Sequence, residues 1–159
     1  MALAEPPMLR LIADTPEGKE VFTEFMSTAW EPTLSALKKG DKDHGLQPFA
    51  DYLFGKGTYD RIPAPLRTDI LANVREFEAL ANSKDSLPLI PREKLKKINT
   101  PTLLLSGERT VRMHKLTDDQ LEKLLPKVER ITIKGADHGM WRSNAADCKE
   151  KTLEFLSKY

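Results

Sequence analysis

The chain has 159 residues, with 25 basic and 24 acidic side chains, a formal charge of +1 and 40% hydrophobic residues. That length suits one domain of ordinary size, and interspersed, balanced charge lacks the basic stripe that a nucleic-acid binder needs. No apolar run approaches the ~20 residues of a membrane span, and no signal-peptide pattern opens the chain. With Cys148 as the single cysteine, no internal disulfide can form, and a cytoplasmic location is expected.

Residues 2–4 form a short apolar piece stopped by Pro6 and Pro7, which reads as the end of a strand with Glu5 just beyond it. Asp14 or Thr15 is expected to cap a helix that has Pro16 in its first turn. Val21, Phe22, Phe25, Met26, Ala29 and Trp30 share a face of that helix, and Pro32 must kink or restart it before Gly40 ends it. A second helix is expected from His44 to Leu53. A third takes in Leu66, Ile70, Val74, Phe77 and Leu80 at three- and four-residue spacing, the clearest periodicity in the chain. After a loop, a short helical turn covers 92–97.

Beyond Ile98 the pattern changes to strand 102–106, helix 114–125, strand 128–133 and helix 145–158. Each helix is long enough to return the chain, so three parallel strands are implied. The expected organisation is a strand remnant at 1–7, an inserted helical lid at 8–98, and a strand–helix–strand–helix part at 99–159. The fold class is α/β.

Isolated motifs give little. Asp41-Lys-Asp-His44-Gly45 lacks the later ligands of a calcium loop, and Asp41 is better explained as a helix cap. His114 is expected on a solvent-facing helix surface, and no metal site or cofactor is expected. Cys148 reads as a passive helix residue.

Four segments taken in order say more: Leu3-Ala-Glu-Pro-Pro7, Thr100-Pro-Thr-Leu-Leu-Leu-Ser-Gly-Glu108, Leu125-Pro-Lys-Val-Glu-Arg-Ile-Thr-Ile133 and Gly135-Ala-Asp-His-Gly139. This layout resembles the C-terminal portion of an α/β-hydrolase: three strands of the core sheet with a helical cap inserted after the first. The resemblance implies that His138 is the general base, taking a proton from a nucleophilic hydroxyl while a carboxylate holds its other ring nitrogen. Many relatives place that acid at the fourth position of Gly-Glu-x-Asp, which here reads Gly107-Glu-Arg-Thr110. Glu5, at the alternative position after the preceding strand, is the preferred acid. Glu108 is the second candidate, and the plainer reading has Glu5 merely accepting backbone hydrogen bonds. Phe25, Trp30 and Trp141 are candidates for lining a lipophilic substrate cleft, although Trp141 fits equally well packed on the last helix.

No serine stands in the Gly-x-Ser-x-Gly elbow that the family requires. The oxyanion-hole segment is missing as well. The resemblance therefore implies a chain without the amino-terminal half of a hydrolase, inactive alone, that would act on a small lipophilic ester once completed. The alternatives are a truncated homologue serving as an interaction module and one half of a split enzyme. An open sheet edge at residues 2–4 is expected to favour self-association.

Overall fold

The computed structural model describes residues 1–159 and is an α/β structure with one open, parallel three-stranded sheet. The strands are β1 (Ala2–Ala4), β2 (Thr102–Gly107) and β3 (Val128–Ile133), in spatial order β1-β2-β3. Ala2 pairs with Leu103 and Ala4 with Leu105, while Thr102 pairs with Val128 and Gly107 with Ile133. Two compact units divide the chain: residues 1–19 with 89–159, and residues 20–88.

The first unit is the sheet with its flanking helices. β2 is buried along its whole length because it is the middle strand and is covered on both faces, which is why it reads as an unbroken apolar run rather than an alternation. Leu103 and Leu105 point to one face, with Ile133, Met140, Cys148 and Phe155. Leu104 points to the other, with Leu11, Leu95, Leu121 and Leu124. The elements behind these contacts are a 3₁₀ turn at Leu9–Ile12, α6 (Arg92–Leu95), α7 (Arg112–Leu124) and α9 (Ala145–Leu156). Cys148 has no exposed surface, in line with a passive packing role. Leu11 and Leu95 pack with Leu104 on the sheet, and the second unit spans residues 20–88 rather than the 8–98 expected for the lid.

The second unit is helical: most of α1 (Pro16–Phe25), then α2 (Glu31–Lys38), α3 (Gln47–Phe54), α4 (Ala64–Ala72) and α5 (Arg75–Ala81). α1 starts as its sequence predicts, with Thr15 Oγ1 accepting the Gly18 N–H at 3.1 Å. Pro32 acts through the turn before it. Proline has no N–H to give to the preceding carbonyls, and the chain opens into a π-helical turn at Met26–Trp30 before α2 begins.

Two helices of this unit differ from their sequence pattern. The helix expected from His44 starts only at Gln47, because Asp41 Oδ1 takes the His44 N–H at 3.0 Å and holds that stretch as a turn, with Pro48 opening α3. The periodic segment at 66–80 is two short helices rather than one. Asn73 donates its side-chain N–H to the Asp69 carbonyl at 2.8 Å and its backbone N–H to Ile70, which closes the turn between α4 and α5. α4 buries no residue completely, and Val74 and Ala81 carry the burial beyond it.

Candidate functional site

The carboxyl ends of the three strands bring together residues more than a hundred positions apart in sequence. Glu5 leaves β1 with its backbone N–H on the Leu105 carbonyl, and it is the only non-glycine residue in the left-handed region, at φ 42°. An L-residue held there is strained by roughly 1–3 kcal/mol, a feature that clusters at functional positions. The strain turns the side chain into the sheet end, where Glu5 is 2% exposed.

Three donors meet its carboxylate. The Gly107 N–H reaches Oε1 at 2.7 Å, the Thr110 hydroxyl reaches Oε2 at 2.8 Å, and His138 Nδ1 lies 2.7 Å from the same Oε2. An ionised carboxylate only accepts, so Nδ1 carries the proton in this contact. Burial acts to raise the Glu5 pKa, but the hydrogen bonds from His138, Gly107 and Thr110 outweigh it, and the net displacement is below the ordinary glutamate value. Thr110, in the loop after β2, thus helps to orient the carboxylate that follows the neighbouring strand β1.

His138 is placed by close approach of two loops. Arg109 donates its backbone N–H to the Ala136 carbonyl at 2.8 Å, and Glu108 donates its own to Ile133 at 3.1 Å. Gly107 permits this: a Cβ there would stand 2.7 Å from the Ala136 carbonyl oxygen and 2.8 Å from that of Asp137. Gly107→Ala is therefore expected to cost about 1–3 kcal/mol and to displace the loop that carries His138. Thermal unfolding checks it, and an unchanged midpoint would contradict the packing described.

The second acid candidate lies elsewhere. Glu108 Oε2 accepts the Gly135 N–H at 2.7 Å, so it pins the turn ahead of His138, while Glu5 is the carboxylate on the imidazole. Of the expected cleft residues, Phe25 and Trp30 are buried in an aromatic cluster with Phe49, Tyr52 and Phe77, inside the second unit. That unit has an apolar cavity of about 170 Å³ lined by Leu46, Phe49, Leu53, Tyr59, Ile70 and Phe77, and neither expected residue borders it. Trp141, on the short helix α8 (Met140–Ser143), is half-exposed. His44 is exposed beside Asp41 and Asp43.

His114 contradicts the expectation of a solvent-facing position. It is 4% exposed in the first turn of α7, its ring lies parallel to that of His138 at 4.2 Å, and neither of its ring nitrogens has a hydrogen-bond partner. Burial pushes its pKa down to about 4, helped by His138 and opposed by Glu5. The sequence carried a signal for this: His114, Thr117, Leu121 and Leu124 repeat at three, four and three, and all four are buried.

One helical turn further along lies a second buried polar group that the sequence reading missed. Ser106 donates its hydroxyl to Asp118 Oδ2 at 2.5 Å, Arg130 Nε donates to Ser106 at 2.9 Å, and Arg130 is itself paired with Asp119 and Glu122. Asp118 has no exposed surface and its Oδ1 lacks a partner. Burial raises its pKa to about 7 against the pull of Ser106 and Arg130.

Comparison of the chain with protein-family models, with curated proteins and with solved structures finds no match. No helix is long and apolar enough to cross a membrane.

Proposed function

We propose that Glu5 and His138 are the acid and base of an α/β-hydrolase-type catalytic triad whose nucleophile stands on a different stretch of polypeptide. The observation that carries this reading is the 2.7 Å contact between Glu5 Oε2 and His138 Nδ1 at the carboxyl ends of parallel strands, where open α/β sheets keep their ligands. Support also comes from the strained Glu5 backbone and from the full set of donors on its carboxylate. With the proton fixed on Nδ1, Nε2 is the basic nitrogen. It would take a proton from a hydroxyl nucleophile attacking an ester carbonyl and return it to the leaving alcohol, while Glu5 stabilises the imidazolium formed between the two steps.

A base and an acid without nucleophile and oxyanion donors retain little of the rate enhancement, because the triad acts as a unit. The chain alone is therefore expected to give no stoichiometric burst of nitrophenol from a short-chain nitrophenyl ester. Addition of a polypeptide that supplies the preceding strands and an elbow serine is expected to restore turnover, and His138→Gln to lower it by roughly 10⁴-fold or more. A burst from the chain alone, or restored turnover indifferent to His138→Gln, would overturn the assignment.

A further inference from the structure

We propose that Glu5, His114 and His138 form a binding site for one borderline divalent transition-metal ion, of which Zn²⁺ is the representative. The three residues each offer one ligand atom, and these atoms lie within 4.8 Å of one another. His114 is the independent observation. A buried imidazole with both nitrogens unpartnered is rare and costly, and here it lies beside a second imidazole and a carboxylate. The hydrolase-type dyad gives no reason for this residue, since Glu5 and His138 are complete without it.

The donor set selects the ion. Two imidazoles and one carboxylate suit zinc and its neighbours, whereas calcium and magnesium take oxygen ligands. Three protein ligands also leave a position open for water or an exchangeable group. The Gly107 N–H and the Thr110 hydroxyl already orient the Glu5 carboxylate, as outer-shell partners do at metal sites. Binding at ~2.0–2.1 Å requires the ligand atoms to settle ~3.3 Å apart, so His138 Nδ1 and Glu5 Oε2, at 2.7 Å here, must separate and the parallel rings turn toward one ion. His138 is the group able to move, being on a loop with its side chain 30% exposed. Ligation through Nδ1 requires the other tautomer of the neutral ring: the proton shared with Glu5 passes through solvent to Nε2, and the carboxylate oxygen is left to the metal. Metal binding and hydroxyl activation are therefore mutually exclusive uses of His138, and this inference does not rest on the hydrolase reading.

The test is titration of the intact chain with ZnCl₂ against a competing chelator, together with CoCl₂ as a paramagnetic probe of the histidine ring resonances. One equivalent is expected to bind. Glu5→Gln and His114→Gln are each expected to weaken it by about 100-fold or more, and Thr110→Val by about 10–100-fold, with His44→Gln unchanged. Because a variant may lose its fold, the cobalt experiment on the unaltered chain is decisive. Perturbation of the His114 and His138 rings with His44 unaffected supports the site. Absence of one-to-one binding, or perturbation centred on His44, overturns it. Neither outcome touches the dyad, which is read in metal-free protein from the Nδ1 proton of His138.

Discussion

Glu5→Ala is expected to lower the unfolding free energy of the sheet unit by about 2–6 kcal/mol, the cost of leaving two buried donors without their acceptor at ~1–3 kcal/mol each. The loss has identified recipients. The Gly107 N–H, the Thr110 hydroxyl and His138 Nδ1 all lose their acceptor at once, and the first two are buried. Glu5→Gly removes the same carboxylate but tolerates φ 42°, so it should be more stable than Glu5→Ala by about 1 kcal/mol. Denaturant unfolding of the two variants separates carboxylate from backbone. A loss below about 1 kcal/mol for Glu5→Ala, or equal stability of the pair, would contradict a strained and triply bonded Glu5.

The pH dependence of stability supplies the second large effect. Asp118 is raised from 3.8 to about 7, so the unfolded chain gives up this proton before the folded chain does. Stability from this group is whole below pH 4 and is lost as pH rises to about 7. His114 is lowered from 6.5 to about 4, so its contribution is present above pH 6.5 and is lost as pH falls toward 4. Glu5, also lowered, adds to the losses only at the acid end. At ~1.4 kcal/mol per unit, each of the first two slopes is on the order of a few kcal/mol, and between pH 4 and 6.5 they oppose each other. The groups facing Asp118 are Ser106 and Arg130, with Asp119 and Glu5 acting at longer range. Asp118→Asn keeps an acceptor for Ser106 and removes the titration. Stability of that variant should therefore climb steeply from pH 4 to 6.5, where the unaltered protein stays nearly flat. Denaturation midpoints across this range are the check, and parallel curves for the two proteins would contradict it.

Legibility in the sequence followed the physics of each segment. The strand at 102–106 is readable because a buried middle strand is apolar on both faces, and that at 128–133 from its β-branched Ile131, Thr132 and Ile133. The helix around Leu121 was readable from its period. The segment at 66–80 shows the reverse case, where good spacing did not produce one helix: Asn73 offered the backbone a local alternative, and the face it would have presented is not buried in α4. An aromatic stripe has the same helical spacing in a core and in a cleft; Phe25 and Trp30 are buried and neither borders the apolar cavity.

At the site, only the order of the four motif segments links Glu5 to His138 in the sequence. Periodicity could not have joined two residues 133 positions apart. What was hidden is the environment that gives the pair its character. The left-handed Glu5, Thr110 as donor to it, and the parallel His114 ring all depend on how loops after different strands meet. Asp118 and Ser106 were hidden for the same reason, being ordinary polar residues until the fold removes them from water.

Nitrogen-15 and proton NMR of the imidazole ring in metal-free protein observes the proton between Glu5 and His138 directly. A low-field Nδ1–H on His138 is expected, and this signal should move upfield or vanish in Glu5→Gln. An Nε2–H tautomer, or an Nδ1 proton that does not respond to Glu5→Gln, would contradict the pairing.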